Sequence, residues 1–323
     1  GDVRHILMSL LFKQQGHQDM PHVTANGVQI AYESHGDPKD PTVLLVMGLG
    51  GQLTMWPDKL VSDLVAGGYR VVLFDNRDIG LSHKHEGGKP PKIVRQLILR
   101  RLGIKLKAPY ELTDMARDTI GLLDVLKLDR VHLVGISMGG MIAQHVASMA
   151  PERVESLTAI MTSTGNPKLP RPSGDVMRAM IRRGPQPTTR EAIIDQSVAT
   201  FGVIGTPGED QNTNGMRDRI TRSYDRSFNP SGVLRQMSAI VASGDFRKHT
   251  RAVKAPTLVI HGSEDPLVPL EAGRDVAKLI HGARLEIMDG MGHDVPPRFL
   301  TRITQHMLDH FAATKVNPEP VDA

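Results

Sequence analysis

Apolar runs and helical stripes alternate along most of this chain. The first two runs, His22 to Ala25 and Val28 to Ser34, flank Asn26-Gly27, a dipeptide suited to a tight two-residue turn, and predict an antiparallel hairpin at a sheet edge. Pro41 to Met47 is almost continuously apolar, as expected of a strand covered on both faces. A helix is expected over Trp56 to Ala66, with Leu60, Val61 and Leu64 on one side and Gly67-Gly68 as its stop. The pattern continues as a strand over Tyr69 to Phe74, a helix over Leu112 to Leu126, a strand from Val131 to Val134, a helix from Met141 to Ala150 and a strand from Val154 to Met161. It resumes later with a strand at Thr257 to Ile260, a helix at Glu271 to Ile280, a strand at Arg284 to Met288 and a helix at Phe299 to Phe311. Such alternation predicts an α/β fold, a doubly wound and mostly parallel sheet with helices on both faces.

Residues 164–245 break the rhythm. They hold prolines, glycines, methionines and helical pieces but no buried strand, and are expected to form a mainly helical lid inserted between two core strands, over the carboxyl ends where such sheets carry their sites. The core is then 20–163 together with 246–313, with residues 1–19 a leader or appendage and 314–323 a polar tail.

Composition narrows the chemistry. Of the 323 residues none is cysteine, which excludes a disulfide framework, a thiolate metal site and a cysteine nucleophile, and fits a reducing compartment. The short apolar stretch from Ile6 to Phe12 runs into Lys13-Gln-Gln rather than a cleavage site, so neither a secretory signal nor a membrane span is expected, and the cytoplasm is the expected location. Net charge is +4, yet Lys84 to Lys107 holds eight Lys/Arg against the single Glu86, a local +7 that leaves −3 for the rest. Within it, Ile93 to Arg101 reads as an amphipathic helix with Arg95, Arg100 and Arg101 on its polar side. Packing by its apolar side with a solvated charged face is the first reading, and contact with anionic lipid or an acidic substrate the second. Nucleic acid is not an expected partner, because no aromatic residue interleaves the charges.

The candidate chemistry centres on Gly135-Ile136-Ser137-Met138-Gly139-Gly140, entered by a strand and left by a helix. A sharp strand-to-helix turn forces its central residue into a strained conformation with its side chain exposed, and the flanking glycines fit because a Cβ at 135 or 139 would collide. A serine hydroxyl attacks a carbonyl only with a base in hydrogen-bond reach and a third group to orient that base. Two later strands supply candidates in the required order: Asp265 in the loop after Thr257 to Ile260, and His293 in the loop after Arg284 to Met288. Glu264 competes with Asp265, but sits one residue earlier on a longer side chain.

Met47-Gly-Leu-Gly-Gly51, Asp75-Asn-Arg-Asp-Ile-Gly-Leu-Ser82, Gly135-Ile-Ser-Met-Gly139, Gly262-Ser-Glu-Asp265-Pro266 and Gly292-His293 together resemble the α/β-hydrolase superfamily over about residues 20–313. The segment from Asp75 to Ser82 is similar to that of esterases of the aclacinomycin methylesterase group. The resemblance implies Ser137 as nucleophile, His293 as base, Asp265 as orienting acid, and an oxyanion hole made by the backbone N–H groups of Leu49 and Met138. Met47 stands where that loop commonly opens with histidine, which leaves open what orders it. The implied activity is hydrolysis of a small-molecule carboxylic ester through an acyl-enzyme. Cofactor-free haloperoxidases or perhydrolases and carbon–carbon bond hydrolases employ the same triad, whereas the aspartate nucleophile of epoxide hydrolases and haloalkane dehalogenases is absent. A ligand receptor that had lost turnover is the non-enzymatic alternative.

No cofactor and no metal site is expected; His83, His85 and Glu86 lack a fourth ligand. Trp56 and the methionines Met177, Met180, Met216 and Met237 are candidate walls of the substrate pocket, against the plainer reading of each as packing. His261 reads as a core histidine, Asp294 as a surface or cap residue, and Arg77 with Asp78 as a turn-stabilising ion pair.

Overall fold

The computed structural model describes residues 20–87, 89–181 and 187–314. The expected appendage 1–19 and all of the polar tail except Thr314 lie outside these residues, and Thr314 ends the last helix.

Eight strands form one sheet: β1 (His22–Ala25), β2 (Val28–His35), β3 (Thr42–Val46), β4 (Arg70–Phe74), β5 (Val131–Ile136), β6 (Val154–Ile160), β7 (Thr257–Gly262) and β8 (Arg284–Met288). Their order is β1-β2-β4-β3-β5-β6-β7-β8. The hairpin pairs β1 with β2, and β2 runs antiparallel to β4. Every pairing from β4 to β8 is parallel. The strand alternation expected from the sequence is therefore the observed architecture.

The helices are α1 (Asp58–Ala66), α2 (Ile93–Arg101), α3 (Leu112–Val125), α4 (Met138–Met149), α5 (Gly174–Met180), α6 (Arg190–Ile204), α7 (Met216–Arg226), α8 (Pro230–Ser243), α9 (Arg247–Ala252), α10 (Leu270–Leu279) and α11 (Pro297–Thr314). Alternate residues of the central strands feed two separate apolar clusters, which is why those strands carry no polar face. Leu44, Val46 and Leu133 pack with Leu112, Met115 and Leu122 of α3 and Ile142 and Val146 of α4. Val43, Leu45 and Val134 pack on the other side with Leu60 and Leu64 of α1 and Ile303, Met307 and Phe311 of α11. Each fully buried leucine of these clusters contributes about 1.5–3 kcal/mol through removal of its surface from water.

Two boundaries depart from the sequence pattern, each for a local reason. Helix α1 starts at Asp58 rather than Trp56, because Leu53–Met55 forms a 3₁₀ turn and Pro57 sits extended as the N-cap. Helix α4 starts at Met138 rather than Met141: Ser137 is itself the N-cap, and the two glycines that look like a break form the first turn.

Between β6 and β7 the described residues form helices α5 to α9 and no strand. Ile194, Val198, Met216 and Ile220 of α6 and α7 make a third, small apolar cluster that Met55 reaches from below.

Candidate active site

The turn after β5 is held by crowding. Ser137 has φ 55° and ψ −120°, a conformation that costs a non-glycine residue about 1–3 kcal/mol and persists only where its surroundings enforce it. The enforcement is visible. A Cβ on Gly135 would strike the backbone of Gly139, one on Gly139 would strike the carbonyls of Val46 and Met47, and one on Gly140 would strike Thr162. Ser137 N–H donates to the Ile160 carbonyl at 2.9 Å, and Thr162 Oγ1 donates to the Ser137 carbonyl at 2.7 Å.

This geometry brings together residues whose positions in the chain lie far apart. Asp265 Oδ1 accepts the N–H groups of Leu267 at 3.0 Å and Val268 at 2.8 Å, which fixes the carboxylate. Its Oδ2 lies 2.6 Å from His293 Nδ1. A carboxylate only accepts, so Nδ1 carries the proton and Nε2 offers its lone pair to the Ser137 hydroxyl, whose Oγ stands 2.9 Å away. Asp265 and His293 are 5% and 7% exposed, and Ser137 is half-buried, so the relay opens to solvent only at its serine end. Glu264 is exposed and its backbone N–H bonds the Met291 carbonyl; no hydrogen bond joins it to His293.

His261 is wholly buried behind Asp265, 3.7 Å from Oδ2. Burial pushes its pKa below the ordinary value, against the Val268 carbonyl that its Nε2–H meets at 2.7 Å, and the ring is therefore neutral. The core role read from the sequence is the one it has.

Leu49 and Met138 flank the serine from two sides. Gly48 runs so close that an added Cβ would lie 3.2 Å from Ser137 Cβ, and Met138 opens α4. Neither N–H has an acceptor among the described residues. A helix N-terminus leaves its first N–H groups unsatisfied in this way, ready for a negatively charged oxygen.

What orders the Met47–Gly51 loop is a residue that no sequence pattern singles out. Gln236, on α8 and fully buried, accepts the Gly50 N–H with Oε1 at 2.9 Å and donates from Nε2 to the Arg77 carbonyl at 2.9 Å. Gly50 has φ +70°, so the loop needs glycine there, and Asn76 Nδ2 donates to the Met47 carbonyl at 2.9 Å. Asp75 braces the 3₁₀ turn that follows this loop: it accepts the Leu53 N–H at 2.8 Å and pairs with Arg226 of α7 at 2.6 Å.

Two sequence expectations are corrected at this point. Arg77 and Asp78 do not pair with each other. Arg77 forks onto Asp118 of α3, while Asp78 takes Arg235 of α8 in two bonds of 2.8 and 2.6 Å together with the Tyr110 hydroxyl at 2.6 Å. Burial pushes the Asp78 carboxyl up, but Arg235, Tyr110 and the His85 N–H outweigh it and hold it below the usual range. Asp294 is no surface residue. At 4% exposure it accepts the Thr206 N–H and hydroxyl at 2.9 and 2.5 Å, and Gln211 at 3.3 Å. The His293 N–H donates to the Ile204 carbonyl at 2.8 Å, so the loop after α6 is tied to the histidine loop.

The candidate pocket residues divide. Trp56 is 2% exposed inside the cluster with Leu53, Leu60 and Leu64, and Met216, the first residue of α7, is 4% exposed in the cluster that α6 and α7 share. Met177, Met180 and Met237 are only partly buried.

Comparison with known proteins agrees with this architecture. Rhodomycin D methylesterase DauP of Streptomyces sp. (strain C5) is 26% identical over 293 residues, covering 85% of this chain and 92% of that protein. A 2-hydroxy-6-oxononadienedioate/2-hydroxy-6-oxononatrienedioate hydrolase of Paraburkholderia xenovorans (strain LB400) is 28% identical over 271 residues, covering 82% and 84%. The crystal structure of the enol-lactonase from Burkholderia xenovorans LB400 superposes with a TM-score of 0.69 at 23% identity, covering 90% of this chain and all of that one, a likeness of fold. A family model described as alpha/beta hydrolase fold matches residues 41–296, which spans every strand from β3 to β8 and both loops that carry Asp265 and His293. On that match, the chain belongs to the alpha/beta hydrolase fold family.

Proposed function

We propose that this chain hydrolyses small-molecule carboxylic esters through an acyl-enzyme on Ser137. The observation that carries the reading is the run of contacts Ser137 Oγ to His293 Nε2 at 2.9 Å and His293 Nδ1 to Asp265 at 2.6 Å, on a serine held in a strained turn. In this mechanism His293 takes the hydroxyl proton as Oγ bonds to the ester carbonyl carbon. The resulting oxyanion receives the free N–H groups of Leu49 and Met138. Asp265 steadies the imidazolium, which then gives its proton to the departing alcohol. Water repeats the cycle on the acyl-enzyme, with His293 again as base, and frees the acid. The name of the methylesterase relative supports ester hydrolysis. The Paraburkholderia relative supports a second reading, hydrolysis of a carbon–carbon bond on the same residues.

Ser137→Ala tests the assignment: turnover of aryl esters should fall by roughly 10⁶ and phosphonate labelling should vanish, with the fold intact. Retention of a tenth of the activity would overturn it. Testing esters beside vinylogous carbon–carbon substrates separates the two readings.

We further propose that 164–245 acts as a lid that governs substrate choice, with core units at 20–163 and 246–313. Met177, Met180 and Met237, partly exposed on α5 and α8, are the side chains available to a variable acyl group. Replacing each with alanine should reorder the preference among acyl-chain lengths by about tenfold to two-hundredfold for at least one variant. An unchanged ranking in all three would remove the lid reading.

A further inference from the structure

We infer that the outward face of α2 and the loop that follows it dock on the surface of an anionic lipid bilayer. Of the eight large apolar side chains that stand exposed among the described residues, four fall between 97 and 104: Leu97, Ile98, Leu102 and Ile104, with Leu102 reaching 68%. They sit within the stretch that carries +7. No ion pair among the described residues involves Lys84, Lys89, Lys92, Arg95, Arg100, Arg101, Lys105 or Lys107, whereas Arg77, Arg226 and Arg235 nearby are each matched to an aspartate.

The inward side of α2 is already occupied. Ile93 is buried, Gln96 Nε2 donates to Ser238 of α8 at 2.8 Å, and the Arg100 guanidinium lies against Gly244, where a Cβ would collide with it. The apolar side expected to pack is thus split: Ile98 and Leu102, four apart, project outward with Arg95 and Arg101. Exposed isoleucine and leucine among unpaired cations gain little from a purely acidic partner. At a bilayer they enter the boundary below the headgroups while the cations stay level with the phosphates. No Phe, Tyr or Trp lies between 84 and 107 to stack a base, which disfavours nucleic acid. The −3 on the rest of the chain is repelled by the same surface, which orients the molecule with α2 down. The contact is peripheral: among the described residues no helix is long and apolar enough to cross a membrane.

Sedimentation of the full chain with phosphatidylcholine vesicles, with and without phosphatidylserine, tests this. Binding is expected on the anionic vesicles only, weakening as salt rises. Each cation near such a surface strengthens partitioning by about fivefold, so a variant with Arg95→Gln, Arg101→Gln and Lys105→Gln should bind roughly a hundredfold more weakly. Ile98→Ser with Leu102→Ser should weaken binding too while leaving the salt dependence in place. Unchanged thermal unfolding in both variants certifies their folding, so the outcome does not depend on the reaction catalysed. The inference is overturned if anionic vesicles leave the chain in solution, or if the triple variant binds them as wild type does. Retention on polyglutamate or RNA without vesicle binding overturns it as well.

Discussion

Gln236→Leu is the substitution that separates the placement of the Met47–Gly51 loop from the chemistry on Ser137. Leucine keeps most of the side-chain volume but can neither accept the Gly50 N–H nor donate to the Arg77 carbonyl. Both backbone groups are left unpartnered beside a side chain with no exposed surface, and each such orphan costs about 1–3 kcal/mol. Relaxation of the loop toward other acceptors is the cheapest escape, and it carries the Leu49 N–H away from Ser137. The Met138 N–H, fixed by the turn and helix α4, stays where it is. If Leu49 and Met138 are the two oxyanion donors, as proposed, loss of one lowers kcat by about 10²–10³, and because that donor acts on charge developed in the transition state, KM should move little. Steady-state kinetics on an aryl acetate, with thermal unfolding measured on the same samples, reads both consequences. A kcat within twofold of wild type in a well-folded variant would refute the claim that Gln236 holds the loop. So would a fall in rate that only follows a rise in KM.

Two further outcomes follow from the same geometry. Asp265→Asn should keep the fold but lower kcat by about 10⁴, because an amide presents a donor toward Nδ1 and favours the tautomer that cannot take the serine proton; a loss under tenfold would remove Asp265 from the relay. His145, buried against Phe246 and His249, has its pKa pushed down to about 4 by burial. Its folded pKa lies below the unfolded value of about 6.5, so the unfolded chain binds the extra proton between these values and stability drops as pH falls through that window. Between pH 7.5 and 5 this single group should remove about 2 kcal/mol, visible as a lower urea midpoint at pH 5 that His145→Gln lessens. Equal acid sensitivity in the two proteins would assign the effect elsewhere.

The legible part of this protein is the part enforced by local pattern. Runs such as Val43 to Val46, short and β-branched at both ends, read as strands covered on both faces, and Gly135, Ser137 and Gly139 signal a turn that crowding dictates. The loops bearing Asp265 and His293 follow from where strands end. The start of α4 was hidden because Gly139 and Gly140 are poor helix formers whose place is set by Val46 and Thr162 across the turn. Gln236 was invisible for a different reason: its partners Gly50 and Arg77 lie 186 and 159 residues away, and one side chain bonding two distant backbone groups leaves no periodic trace. Asp294 misled because an aspartate reads as solvated until Thr206 and Gln211, from a distant loop, supply its donors. Arg77 and Asp78 look like a pair in the sequence, yet adjacent side chains in that turn point to different helices.

The attachments of the α5–α9 segment limit how it can move and how it can be exchanged. It is fastened to the histidine loop through Thr206, Gln211 and Ile204, to the Met47–Gly51 loop through Gln236, and to Gln52 and Asp75 beside that loop through Arg226. A flap swinging on a hinge would break all of these at once and would dismantle the geometry that it uncovers. The segment therefore works as a strap buckled at both ends. On the lid reading proposed above, admission of a substrate falls to the stretch around α5, where Ser173 caps the helix and Arg178 pairs with Asp175 one turn away. A donor segment from another hydrolase would need its own equivalents of Gln236 and Thr206 before its side chains could impose a new preference. On the lid reading, a graft without them would take away the reaction along with the old specificity.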